Sequence, residues 1–205
     1  MSDYPFPVFD LQEKDIQAFS ETYQKLTTKF NAQFDDTYQL NLHDYELFNR
    51  GYEPELREAI KLSFSSVEFY LLFISVRYKN MGRYQSWFVR EYQAWAITEM
   101  NMDFGHVLIS RETIADKMRE LLQPMELDFN DDKVFSKKFY VLAQDKMKAE
   151  KSITPKFREL LLNMQAKDFL IELKGNILLA GVTNYLDPEQ TFYLAEFVQQ
   201  ASLLR

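Results

Sequence analysis

Glu68-Phe-Tyr-Leu-Leu-Phe-Ile-Ser-Val-Arg-Tyr78 is apolar at odd and even positions alike. Successive side chains of a strand point to opposite faces, so this run predicts a strand covered on both sides. Before it, Ile60, Leu62 and Phe64 alternate with Lys61, Ser63 and Ser65, the pattern of a half-buried strand. After it, Lys79-Asn-Met-Gly82 supplies a turn, and Gln85, Trp87, Val89, Glu91, Gln93, Trp95 and Ile97 share one face of a long return. A third run, Phe104–Ile109, is expected to extend the meander, which then covers about residues 58–109.

Helical periodicity flanks this block. Ile16, Phe19, Tyr23, Leu26 and Phe30 recur at spacings of three and four, with Asp10 and Glu13 placed as a capping box. That stripe must cover either the chain's own sheet or a partner helix. Residues 35–54 are punctuated by Gly51 and Pro54 yet carry Tyr38, Leu40, Leu42, Tyr45, Leu47 and Phe48. They are too apolar for a disordered linker, and an ordered segment with a short edge strand or turn is expected. In the second half, Ser110 is placed to cap a helix with the stripe Ile114, Met118, Leu121 and Leu122, ended by Pro124. Phe139, Val141 and Ala143 alternate as a strand, and Thr154-Pro155 opens a helix. Gly175-Asn176 separates two apolar runs as a hairpin turn, and Asp187-Pro188 opens a last helix.

Strand runs with segregated helices make the class α+β: an antiparallel or mixed sheet packed by about four helices. No stretch has the composition of a hinge, so residues 1–205 read as one domain, with the amino-terminal helix over about 11–31 either part of it or appended to it.

Composition bounds the function. The 205 residues contain no Cys, which excludes disulfides, thiolate metal sites and cysteine nucleophiles and fits a reducing, cytoplasmic setting. The formal net charge of −7 comes without a dense Lys/Arg patch, which argues against nucleic acid and anionic membrane surfaces as partners. The apolar stretch Phe69–Val76 falls far short of the roughly 20 residues a membrane helix needs, so no membrane insertion is expected. The opening Met1-Ser-Asp-Tyr-Pro-Phe-Pro has neither the basic nor the apolar region of a signal peptide. Aromatic residues reach 16%, enough either to fill a core or to line a groove.

Candidate chemistry is sparse. The two histidines, His43 and His106, are far apart, and Asp35-Asp36 and Asn130-Asp131-Asp132 lack a calcium-loop pattern and read as turns, so no metal is expected. Five glycines at 51, 82, 105, 175 and 181 form no phosphate loop, and no cofactor is implied. There is no nucleophile elbow, and Ser86, Ser110 and Ser136 sit where strand edges and caps favour hydroxyls. Glu172-Leu-Lys174 with Asp145 upstream has the residue types of a metal-dependent nuclease, but a whole helix separates the two strands. His106 opens a strand beside Gly105, where a general base would need a nucleophile and an orienting carboxylate nearby.

Leu47-Phe-Asn-Arg-Gly-Tyr52, the Phe69–Tyr78 strand, Asp103-Phe-Gly-His-Val-Leu-Ile-Ser-Arg-Glu112, Phe135-Ser-Lys-Lys-Phe-Tyr-Val141, Asp145, Ile153-Thr-Pro155 and the final glycine hairpin follow one another in an order that resembles a family of uncharacterised bacterial α+β proteins. The resemblance spans about residues 45–205 and implies the fold without a mechanism. The function expected first is a non-catalytic protein-interaction or scaffold domain of a bacterial cytoplasmic protein. Its partner would be another protein or a second copy of the chain, as a homodimer. The alternative is a small-molecule or peptide-binding protein, or a weak hydrolase, with an aromatic pocket lined by Trp87, Tyr92 and Trp95 near His106.

Overall fold

The computed structural model describes residues 11–49, 53–81, 86–111 and 125–204. Among them, nine strands form one antiparallel sheet: β1 (Asn31–Phe34), β2 (Glu53–Phe64), β3 (Val67–Met81), β4 (Ser86–Glu99), β5 (His106–Arg111), β6 (Met125–Glu126), β7 (Phe139–Ala143), β8 (Phe169–Lys174) and β9 (Ile177–Val182). Their order across the sheet is β1-β2-β3-β4-β9-β8-β5-β7-β6. Five α-helices accompany them: α1 (Glu13–Thr27), α2 (Lys133–Lys138), α3 (Lys146–Ser152), α4 (Pro155–Asn163) and α5 (Pro188–Ser202). The fold is α+β, and none of these helices is long and apolar enough to cross a membrane.

The meander holds for β2, β3 and β4. Pro54 is accommodated because β1 pairs only with Ile60–Ser63, so among the described residues the Pro54 end of β2 pairs with no strand on that side. Phe104–Ile109 does contain a strand, but it does not lie beside β4 as the extended meander requires. The β8–β9 hairpin is inserted between them. Two local features account for this correction. The loop after β4 wraps the hairpin tip, with Met100 N–H donating to Asn176 O, Phe104 N–H to Gly175 O, and Gly175 N–H to Gly105 O. The strand beside β4 must also leave room for an indole. Trp95 faces Gly181 of β9, where a Cβ would meet the ring at 2.1 Å.

The expected caps Thr154 and Asp187 form, and Asp132 and Asp145, which the sequence did not mark as caps, act in the same way. Asp132, Asp145, Thr154 and Asp187 each accept a backbone N–H three residues on, from Phe135, Lys148, Phe157 and Gln190. At α1 the cap is Gln12, whose N–H donates to Asp15 Oδ2, two residues beyond the expected Asp10–Glu13 box. The short α2 and α3 were not signalled by periodicity, their six and seven residues being too few to show a stripe. Ser110 caps no helix, since it lies within β5 and pairs with Tyr140 and Leu170; the helical stripe expected after it and the Asp10 cap lie outside the described residues.

The two faces of the sheet are covered differently. On one, Phe19, Leu26 and Phe30 from the α1 region, Leu194, Phe197 and Val198 from α5, and Phe157 and Leu161 from α4 share a core with Leu71, Phe73, Ala94, Val107 and Ile171. On the other, residues 35–49, which carry two 3-10 turns at Leu42–Asp44 and Glu46–Phe48, press Leu42, Tyr45, Leu47 and Phe48 onto Leu72, Ile74, Trp95, Leu108 and Leu179. We refer to these as the helical face and the strap face.

Candidate functional site

Tyr92 and Trp95 differ by an odd number of positions on β4 and therefore point to opposite faces. Tyr92 is buried on the helical face, edge-on to Phe19, and Trp95 is buried on the strap face against Phe48. The indole N–H of Trp95 donates to Gln93 Oε1 at 3.1 Å, and Gln93 in turn donates to Thr183 O. The side chain of Trp87 lies outside the described residues. The structure thus does not bring Tyr92 and Trp95 together on one surface.

His106 meets a carboxylate that sequence could not place beside it. His106 pairs with Lys174 and Leu108 with Glu172 across β5 and β8, which brings Glu172 Oε1 within 2.9 Å of His106 Nε2. Glu172 is fully buried. Its two oxygens also accept the N–H groups of Glu46 and Leu47, each at 3.1 Å, at the start of the second 3-10 turn. Lys174 Nζ donates to Asp44 O nearby. Burial and then the Glu172 charge push the Tyr45 hydroxyl up from its ordinary range. Two backbone donors and the His106 ring nitrogen on one buried acid make a clamp that holds the strap to the sheet.

A second polar cluster has the same character. Arg158, 4% exposed, donates to Asp131 Oδ2 at 2.6 Å, Asp132 Oδ2 at 3.2 Å and Ile153 O, and lies over the Phe129 ring. It fixes the acidic turn to α4 beside a cavity of about 400 Å³. Asp145, the upstream acid of the nuclease-like pattern, caps α3. No group of three or more His, Asp or Glu side chains gathers into a metal site among the described residues.

A cavity of about 550 Å³ with a mixed lining opens at the end of the sheet where β3 begins and β4 ends. Its origin lies in strand register. The β3–β4 ladder stops at Tyr70↔Ile97, although β3 begins three residues earlier, at Val67, and β4 runs on to Glu99. Below that point β3 stays with β2 and β4 stays with β9. Met100 N–H and Tyr92 C=O both bond toward the β9 side, so by alternation Ile97 and Glu99 turn their peptide groups toward β3. The pairs that would follow, Phe69 with Thr98 and Glu68 with Glu99, do not form, and the strands part there.

The walls of this cleft come from both faces. Tyr38, Lys61, Glu68, Tyr70, Glu99 and Ile177 line it on the strap side, and Val67, Phe69, Thr98, Ser202 and Leu203 on the helical side. The Tyr38 and Tyr70 rings stack with centroids 4.0 Å apart. Tyr70 Oη donates to Asp35 Oδ2 at 3.0 Å, and Lys61 Nζ reaches Glu68 Oε2 at 2.8 Å. Burial, with help from Tyr45, Tyr70 and Asp35, pushes the Tyr38 hydroxyl up to about 12. Hydrogen bonds from Thr37 and then Tyr70 hold Asp35 below the usual carboxylate range. The Glu68 hydrogen bond raises Lys61. Sequence periodicity could not mark this cleft, because the facing of Glu68 and Glu99 depends on a register between strands that local patterns do not specify.

No protein family, curated protein or solved structure matches this chain.

Proposed function

We propose that this protein binds a ligand without transforming it, and that the ligand occupies the cleft between the parted ends of β3 and β4. The single observation that carries the proposal is the cavity of about 550 Å³ opened where two strands outrun their ladder. Its volume is in the range of ligand sites, and it combines ring faces with a few polar groups. Supporting a non-catalytic role, Glu172, His106 and Arg158 are engaged in contacts that hold the strap and the acidic turn. The amino-terminal stripe is not available to a partner, because Phe19 and Leu26 bury it in the chain's own core. The same burial supports one folding unit that includes α1. A cytoplasmic location, suggested by the lack of Cys, belongs to the same proposal.

A fragment screen read by amide NMR tests the site. Binders are expected to shift the amides of Val67–Tyr70 and Ile97–Glu99, and Ile177→Trp, which fills the cleft from β9, should abolish those shifts while leaving the fold intact. Binding unaffected by Ile177→Trp, or confined to other parts of the molecule, would refute the assignment.

A further inference from the structure

We infer that the ligand of this cleft carries a positive charge, an ammonium or guanidinium group beside an apolar or aromatic body; the inference rests on the cleft being the binding site. Lys61 is the one cationic side chain among the described lining residues, and it is bound by Glu68. Glu99 has no hydrogen bond or ion pair from its carboxylate among the described residues, and it stands across the unformed rung from Glu68. Asp35, held ionised by Thr37 and Tyr70, lies just behind the tyrosine pair.

Backbone groups act in the same direction. Ser202 and Leu203 bring the carboxyl-terminal end of α5 to the cleft, and the last carbonyls of a helix carry partial negative charge. An ammonium group offers donors and no acceptors, so it matches carboxylates and carbonyls together. The Tyr38–Tyr70 stack, with Phe69 and Ile177, provides the apolar wall for the rest of the ligand. Aromatic faces attract a cation in addition to covering apolar surface. An anionic ligand would instead meet two carboxylates and a helix carboxyl end.

Three indole compounds of similar size separate charge from shape: tryptamine, indole-3-ethanol and indole-3-propionate. Titration of each into the intact chain, followed by amide NMR, should show tryptamine shifting Val67–Tyr70 and Ile97–Glu99 most strongly and the propionate least. Glu99→Gln should weaken tryptamine about two- to fivefold, the scale of an exposed ion pair, and leave the alcohol unchanged. Added salt should narrow the gap between amine and alcohol. Equal or tighter binding of the alcohol or the acid in the cleft would overturn the charge preference while leaving the cleft assignment standing. Silence of the cleft amides toward all three, with Ile177→Trp making no difference in the wider screen, would overturn both. Since Glu99 is exposed and unpaired, a thermal melt of Glu99→Gln should coincide with the parent chain and show that any lost binding is not lost folding.

Discussion

The two faces of the sheet solve the same problem by different means. The helical face is covered by helices whose apolar stripes interlock with it: Phe19 lies 4.4 Å from Phe73 between ring centroids, and Phe30 packs edge-on to Phe69. The strap face is covered by a segment with hardly any regular structure, residues 35–49, placed by a few specific contacts. Among those are the Phe48 ring on Trp95, the Glu172 clamp, Lys174 on Asp44 O, the Tyr38 ring on Tyr70 and the Tyr70 hydroxyl on Asp35. A helix satisfies its own backbone and needs only apolar area to dock. A strap has peptide groups to satisfy, and the buried acid supplies the acceptors. The first cover should therefore fail through lost packing and the second through lost polar contacts.

The sharpest way to break this contrast is at α1. Phe19→Ala is expected to cost about 3–5 kcal/mol, as large-to-small changes at fully packed aromatic sites do, measured by urea unfolding. Removing residues 1–31 should abolish the cooperative transition altogether, because Leu26 and Phe30 leave with Phe19 and expose the face of β2 and β3. A truncated chain that unfolds cooperatively near the parent midpoint would show that α1 is an appended element and that the sheet is held chiefly from the strap side.

Next in size is Gly181→Ala. A Cβ at this position would lie 2.1–2.5 Å from three atoms of the Trp95 ring system, so the indole must move and Phe48 with it. Overpacking of this kind costs about 3 kcal/mol at its upper range. The change should displace the Trp95 indole N–H resonance, now fixed by Gln93, and leave the α1 and α5 amides in place. If α1 and α5 shift as much as the strap does, the two covers are coupled through the sheet and cannot be treated separately.

How far each face was legible in the sequence follows the same division. Stripes such as Phe19-Tyr23-Leu26 and the Thr154 and Asp187 caps are local patterns, and they identified the helices of the helical face. The Gly175-Asn176 turn is likewise local, and its hairpin formed in register, with Lys174 opposite Ile177 and Gly175 at φ +62°. Insertion of that hairpin between β4 and β5 was not legible, since it depends on loop bonds from Met100 and Phe104 to residues some seventy positions away. Glu172 drew notice as part of a nuclease-like pattern, and only its pairing beside His106 reveals an anchor. The cleft was least legible of all. Tyr38 and Glu99 are far apart in sequence, and what joins them is a ladder that stops short of two glutamates.

The smallest expected effect, and the one that isolates the strap, is Glu172→Gln. One Glu172 oxygen accepts Glu46 N–H and lies 2.9 Å from His106 Nε2, and the other accepts Leu47 N–H. Glutamine keeps one acceptor but puts an NH2 group where the second oxygen stood, so one backbone N–H faces another donor. Leaving a single buried donor unpaired costs about 1–2 kcal/mol, less than the cavity at Phe19. The loss should be local: faster hydrogen exchange at Leu47 or Glu46, and a strap that opens before the helices do. Unchanged protection at both amides would mean that Phe48 on Trp95 suffices to hold the strap, and that the polar anchor is dispensable. Selective opening would show that a fully buried carboxylate, rather than apolar area, sets the stability of that face.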